Sequence, residues 1–158
     1  MPGAQNRPNK GFSLLELVVV VVIIGIIAAI AIPRMSRGSA GAAESALVGN
    51  LAVIRNALDL FAAEHVGSYP AQATVVDQLT QYTDDAGAAQ AAKDATHIYG
   101  PYLRQMPPAP TGSHKGKTGV AAPAAVPPVA EVAAVDVGWL YDAASGQVWA
   151  NDINYFDK

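Results

Sequence analysis

The chain has 158 residues, a net charge of −3 at neutral pH and no cysteine. A chain of this length forms one domain, or one domain with a membrane anchor. Its slight acidic excess provides no basic surface for nucleic acid. The lack of cysteine excludes disulfides, thiolate nucleophiles and cysteine-based zinc sites.

The composition divides the chain into four segments, of which the first two are short. Residues 1–11 are polar and contain Arg7 and Lys10 but no acid, whereas residues 12–32 contain a single charge, Glu16. With a rise of about 1.5 Å per residue, a helix over 12–32 is long enough to cross a hydrocarbon core of about 30 Å. The second segment is therefore predicted to be a transmembrane helix.

The third segment, residues 33–66, is alanine-rich and predicts an amphipathic continuation of the same helix. Its large apolar residues step by 4, 3, 4 and 3 and therefore share one helix face: Leu47, Leu51, Ile54, Leu58 and Phe61. We predict that this face packs on the chain's own domain; the alternative is a seam for a partner helix. Gly67 and Pro70 are typical of the end of a helix.

The fourth segment, residues 67–158, is rich in Gly, Pro, Tyr and Asp and predicts a loop-rich globular head. Residues 75–82 predict a short helix, and GPYLRQMP at residues 100–107 predicts a brief helical turn. The stretch from Thr111 to Val137 repeats Ala, Pro, Gly and Val without a period, which predicts an exposed, mobile loop.

The carboxyl-terminal part of the head predicts a β-hairpin. VGWLYD (residues 137–142) and GQVWAN (146–151) are rich in aromatic and β-branched residues, and they flank the short connection AAS. We expect aromatic and aliphatic residues of both strands to pack against the helix face: Trp139, Tyr141, Val148 and Trp149. The predicted fold class is α+β, with a long amino-terminal helix packed on a small head that contains an antiparallel β-hairpin or sheet.

Three interpretations of the apolar segment compete. A cleaved secretory signal peptide has a small-residue exit such as Ala29-Ile30-Ala31, but its apolar region is usually about 7–15 residues long. A single-pass anchor fits the length but gives no reason for Glu16, because a carboxylate within a membrane costs energy. The third interpretation makes Glu16 the functional residue of the segment.

The third interpretation follows from KGFSLLEL at residues 10–17. This stretch, with a basic leader before it and an apolar span after it, resembles the amino-terminal signal of type IV pilins and type II secretion pseudopilins. The resemblance implies that prepilin peptidase cleaves between Gly11 and Phe12 and that Phe12 is N-methylated. It also places Gly25 and Pro33 where members of the family have a helix-loosening glycine and a proline.

The same resemblance implies a structural role rather than an enzymatic one. The expected function is a subunit of a pilus or pseudopilus filament that polymerises through its amino-terminal helix. Type II protein secretion is expected because GPYLRQMPPAP (residues 100–110) and the GWLYD hairpin (138–142) are similar to the heads of major pseudopilins. One alternative is a type IV pilin for adhesion, motility or DNA uptake. Another is a membrane-tethered periplasmic binding module that does not assemble.

The resemblance also supplies the expected location and partners. Charges on the two sides of the span are balanced, with Arg7 and Lys10 before it and Arg34 and Arg37 after it, so the positive-inside rule does not orient it. By resemblance, the amino terminus is cytoplasmic, the span lies in the bacterial inner membrane and the head is periplasmic; after assembly, the filament is periplasmic or extracellular. The expected partners are further copies of the chain, prepilin peptidase, the assembly platform, minor pilins or pseudopilins and the lipid bilayer.

Glu16 has a physical role in this interpretation. Cleavage before Phe12 creates an amine that is positively charged at neutral pH. In a filament of staggered helices, the amine of one subunit can approach Glu16 of another, and an unpaired partner in low dielectric is costly. The alternative is that Glu16 pairs only with the terminus of its own helix.

Other chemistry has little support in the sequence. His65, His97 and His114 are far apart and do not have the spacing of metal ligands. In the tail, Asp152, Asn154 and Asp157 offer oxygen ligands of the kind that calcium accepts. They are calcium candidates, and the alternative is a solvated acidic tail; no other cofactor is expected.

Overall fold

The computed structural model describes residues 11–158, and the side chains of residues 32–37 are outside that description. The predicted leader, including Arg7 and Lys10, lies outside the described residues except for Gly11. The described part contains helices and short strands, which confirms the predicted α+β fold class.

The long helix α1 spans Leu14–Glu64. The chain divides into two compact units, Met1–Gly41 and Ala42–Lys158, and α1 contributes to both. Two stretches of α1 are long and apolar enough, by length and composition alone, to cross a membrane: Leu14–Ala31 and Gly38–Glu64. The first has no buried residue, whereas the second is partly buried.

In the second unit, the predicted apolar face of α1 forms one side of the core. All five residues of that face are at most 2% exposed: Leu47, Leu51, Ile54, Leu58 and Phe61. They pack in one cluster with residues of the head, so the face is occupied by the chain's own domain, as predicted. Burial of each large apolar side chain contributes about 1.5–3 kcal/mol.

The carboxyl-terminal end of α1 closes with a left-handed residue. The Gly67 amide donates to the Ala62 carbonyl oxygen at 2.8 Å, which caps the last turn. This closure places Val66 at φ +57°, a conformation that costs a residue with a Cβ about 1–2 kcal/mol. A helix end of this kind normally has glycine at that position, but here the glycine comes one residue later.

The head contains a short helix and two sheets. Helix α2 spans Val75–Thr80. The first sheet pairs β1 (Tyr82–Thr83) antiparallel with β2 (Ala89–Gln90). The second sheet has the order β3–β4–β5, formed by Gly119–Ala121, Val137–Asp142 and Gln147–Ala150. A single 3-10 turn follows at Ile153–Tyr155.

The carboxyl-terminal hairpin is confirmed, with β4 antiparallel to β5 and Tyr141 opposite Val148. Trp139, Tyr141 and Val148 share a core cluster with the apolar face of α1, as predicted. Trp149 instead lies in a second cluster with Val137 and Leu140. The separation of Trp149 from Val148, and of Leu140 from Trp139 and Tyr141, follows from strand geometry, because successive side chains point to opposite faces of a sheet.

Two sequence predictions of helix were wrong in part. The predicted helix over 75–82 ends at Thr80, and Tyr82 lies in β1. The predicted helical turn at 100–107 does not form. The amides of Tyr102 and Leu103 instead donate to the Leu79 carbonyl oxygen at the end of α2, at 3.0 and 2.8 Å.

The prediction of an exposed, mobile loop from Thr111 to Val137 was also wrong in part. β3 lies within it and pairs parallel with β4, so the three-stranded sheet is mixed rather than purely antiparallel. The Gly119 amide donates to the Asp136 carbonyl oxygen at 2.9 Å, and a Cβ at Gly119 would collide with that oxygen. Glycine therefore permits the close approach that this pairing requires.

Candidate functional site

The predicted cleavage site is exposed, and it lies just before the start of α1. Residues 11–13 are non-helical and exposed, and the helix begins at Leu14. The Ser13 carbonyl oxygen accepts from the Leu17 amide at 3.2 Å. Phe12 is 77% exposed, and a Cβ built on Gly11 meets no atom within 4 Å. The Gly11–Phe12 bond therefore lies in non-helical, exposed chain just before the helix.

Glu16 lies in the first turn of α1, and its side chain is exposed. A carboxylate in the first turn interacts favourably with the positive end of the helix dipole. The ion pairs found among the described residues all lie in the second unit. None of these ion pairs includes Glu16.

The apolar surface that follows Glu16 is large and uncovered in the single chain. Most of its aliphatic side chains are about half exposed or more, from Leu14 to Ile30. A shallow groove on this surface, of about 270 Å³, is formed by Leu14, Leu17, Val18, Val21 and Val22. A contiguous apolar surface of this extent indicates contact with lipid or with another protein surface.

The comparisons with known proteins agree with this geometry. Residues 6–32 match the family model of the prokaryotic N-terminal methylation motif. No curated protein and no solved structure matches the chain. The amino-terminal segment is therefore pilin-like, and its motif and apolar helix support a membrane anchor. The motif is shared by pilins and pseudopilins, and these are processed by prepilin peptidase and assemble into filaments.

The predicted helix joint lies within α1. Gly25 is helical, and a Cβ there would meet no atom within 4 Å. The backbone at Pro33 is also helical, while its side chain lies outside the described residues. The predicted loss of helix between these residues concerns the assembled filament and stays a prediction.

The calcium candidates have other contacts in the head. Asp152 is 3% exposed, and its Oδ1 accepts from the amide and the Nδ2 of Asn154 at 3.1 and 3.0 Å. Asp157 is near Lys158, with Oδ2 and Nζ 3.6 Å apart. Among the described residues, no group of three or more His, Cys, Asp or Glu side chains is placed to hold a metal ion.

The three histidines have separate structural contacts. His65 is buried, stacks on Phe61 with ring centroids 3.8 Å apart, and its Nδ1 is 2.8 Å from the Phe61 carbonyl oxygen. His97 contacts Asp94, with Nδ1 and Oδ1 2.9 Å apart. Hydrogen bonds, led by the one from the His97 amide, hold the pKa of Asp94 well below its usual range. His114 Nε2 lies 3.8 Å from a Glu131 oxygen.

Sequence reasoning missed two polar contacts that fasten α1 to the head. Arg55 donates from Nη2 to the carbonyl oxygens of Val148 and Lys158, at 3.2 and 2.7 Å. The Tyr102 hydroxyl donates to Glu64 Oε2 at 2.6 Å. The signal in the sequence was only that Arg55 and Glu64 avoid the apolar face, which does not identify their partners.

Proposed function

We propose that the chain is a structural subunit of a filament that polymerises through residues 12–32 after cleavage before Phe12. The observation that carries this proposal is a carboxylate, Glu16, in the first turn of α1, within the otherwise uncharged segment 12–32, whose large apolar side chains are exposed from Leu14 to Ile30. An anchor needs only the apolar surface, whereas an assembling helix also needs a counter-charge for the new amine at Phe12.

Electrostatics give this arrangement its specificity. When helices stack in a filament, both charges leave water or the lipid interface for a low-dielectric interior. Leaving one partner of such a pair alone costs about 3–5 kcal/mol. The amine and Glu16 therefore favour the axial stagger in which they meet, while the aliphatic side chains supply the bulk of the contact.

We further propose that the filament is a pseudopilus of type II protein secretion. Two features of the head support this proposal. The head has no cysteine, whereas many type IV pilins close the end of the head with a disulfide loop. It also carries the GWLYD hairpin of β4 and β5, which resembles the heads of major pseudopilins.

The location and partners follow from the same proposal. Before assembly, the subunit lies in the inner membrane with its head in the periplasm. Prepilin peptidase removes residues 1–11 on the cytoplasmic side. The assembly platform and minor subunits then take up the cleaved chain.

Deletion of the gene in its host tests the secretion role. We expect secreted proteins to accumulate in the periplasm, and restoration by the wild-type gene but not by a Glu16→Ala variant. Normal secretion together with loss of surface pili, twitching or DNA uptake would assign the subunit to a type IV pilus. Normal secretion and normal pili, with the chain found only as single membrane-bound subunits, would assign it to a tethered binding module.

A further inference from the structure

Val66 combines two unfavourable features at one exposed position. Its backbone is left-handed, with φ +57°, and its side chain is 98% exposed. A β-branched residue in this conformation is strained, and an exposed apolar side chain gains nothing from the fold. Strained positions of this kind point to a role outside the subunit's own stability.

Two acidic residues lie near Val66. Glu64, the last residue of α1, precedes it by two positions, and Asp85 lines the same cavity of about 350 Å³. We call Val66 with Glu64 and Asp85 the Val66 knob.

A groove of complementary character lies elsewhere on the head. It has a volume of about 450 Å³ and is formed by Val76, Thr80, Arg104, Gln105, Met106, Pro108 and Thr118. The Thr80 hydroxyl donates to the Val76 carbonyl oxygen at 2.7 Å, so this side chain can present its methyl group to the groove. We call this surface the α2 groove.

Arg104 gives the α2 groove a positive charge at its edge. Its side chain is exposed, and the ion pairs within residues 11–158 do not include it. A groove lined by Val76, Met106 and Pro108 and edged by a cation is complementary to an exposed valine with Asp85 beside it.

We propose that the Val66 knob of one subunit inserts into the α2 groove of another copy of the chain. Because knob and groove are different surfaces, the contact is heterologous, and repeated heterologous contacts generate open filaments rather than closed dimers. The inference rests on the proposed filament function and adds to it a specific contact between heads.

Two other cavities of the head fit the knob less well. The cavity of about 350 Å³ between α1 and the β4–β5 turn is lined by the charged pair Arg55 and Asp59. The cavity beside His65 includes Val66 itself, so it belongs to the knob. The α2 groove combines apolar lining with a charge opposite to that of the knob.

Cysteine cross-linking tests the contact, because the chain has no cysteine of its own. Filaments are assembled from an equal mixture of Val66→Cys and Thr118→Cys full-length subunits and oxidised briefly. We expect a disulfide-linked dimer from the mixture and little from either variant alone. A mixture of Val129→Cys and Thr118→Cys is the matched control, since Val129 is also an exposed valine, at 70%.

Val66→Gly provides a second test, because it should stabilise the isolated subunit and reduce filament assembly. Glycine relieves the left-handed strain, so the isolated subunit in detergent should gain about 2–4 °C in Tm. Loss of the apolar knob should lower the filament yield at least tenfold, and Val66→Lys should lower it similarly. A purely structural role for Val66 predicts the gain in Tm with unchanged yield.

The outcomes separate this inference from the proposed function. If wild-type filaments form but the mixture gives no dimer and Val66→Gly assembles normally, the head contact is wrong and the filament function stands. If wild-type subunits form no filament in the host, the proposed function falls and this inference falls with it.

Discussion

The Tyr141 hydroxyl donates a hydrogen bond to the Pro70 carbonyl oxygen at 2.9 Å, in a buried contact between residues 71 positions apart. It joins β4 in the middle of the core to the chain that leaves α1. Because proline has no amide hydrogen, its carbonyl oxygen is the only backbone group through which Pro70 can be held by hydrogen bonding. This single bond therefore fixes the start of the head against the sheet.

Tyr141→Phe should destabilise the subunit by about 1–3 kcal/mol, because the variant leaves the Pro70 carbonyl oxygen buried without a donor. Chemical denaturation of full-length protein in detergent measures the loss. Tyr82→Phe is the control, since Tyr82 is only half-buried at the start of β1, and it should change stability by less than about 0.5 kcal/mol. Equal effects from both variants would contradict the assigned role of the bond.

The stability of the subunit should also fall in alkaline solution. Burial raises the pKa of Tyr141 above its ordinary value of 10.0, and burial with the Glu64 hydrogen bond does the same for Tyr102. Above that ordinary value, the unfolded chain loses protons that the folded chain retains, so unfolding becomes more favourable as pH rises. A pH series of denaturation curves measures this decline, and the slope should be shallower in Tyr141→Phe. An identical slope in variant and wild type would exclude Tyr141 as a contributor.

Local patterns in the sequence were sufficient for much of the fold. The apolar face of α1 follows from its residue spacing, and β4 and β5 follow from their aromatic and β-branched residues on either side of a short connection. The turn between the strands is also local, since Asp142 Oδ2 accepts from the amide and hydroxyl of Ser145 at 3.0 and 2.6 Å. The residues of the candidate site, Gly11, Phe12 and Glu16, likewise form one short motif.

Structural features that depend on contacts between residues far apart in the chain could not be predicted from the sequence. β3 exists because the free edge of β4 accepts it, and nothing in Gly119–Ala121 alone indicates a strand. The chain at 100–107 is non-helical, and the amides of Tyr102 and Leu103 donate to the carbonyl oxygen of Leu79, more than 20 residues earlier in the chain. The left-handed backbone of Val66 was not predicted, because Gly67 follows it and glycine is the residue expected to adopt that conformation.

Gly11→Val should block removal of the leader, because the resemblance implies that the peptidase accepts only a minimal side chain before Phe12. In the wild type, mass spectrometry of protein from its host should find a chain that begins at Phe12 with one extra methyl group. Gly25→Val is a suitable control, since it changes the same residue type further along the helix and should be cleaved normally. A wild-type chain that keeps Met1, or one that begins at Ile32, would contradict the pilin-like processing.

Removal of calcium should not change the Tm of the subunit. The Asp152 carboxylate already accepts two hydrogen bonds from Asn154 and caps the 3-10 turn. Asp152→Ala should therefore lower stability by about 0.5–2 kcal/mol, the usual cost of a lost cap, with or without a chelator. A Tm that rises with added calcium in wild type but not in Asp152→Ala would instead establish a calcium site among Asp152, Asn154 and Asp157.

Glu16→Ala should strongly impair filament assembly while leaving membrane insertion and cleavage intact. Insertion should improve if anything, because the substitution removes the only charge between residues 12 and 32. Assembly should fail because the amine of a neighbouring Phe12 enters apolar surroundings without a counter-charge, at a cost of about 3–5 kcal/mol per contact. Filament yield per inserted and cleaved subunit is the quantity to measure.

Glu16→Gln identifies the physical origin of that effect. Glutamine keeps the size and one hydrogen-bonding oxygen of glutamate but has no charge, so an electrostatic role predicts that it behaves nearly like alanine. A role in shape or neutral hydrogen bonding predicts a yield close to wild type. Glu44→Gln is the matched control, because Glu44 is an exposed glutamate on the same helix, beyond the apolar span and 3.9 Å from Lys158 Nζ. Wild-type yield from both Glu16 variants would show that Glu16 is not an assembly residue, and a tethered binding module would then explain the apolar helix better.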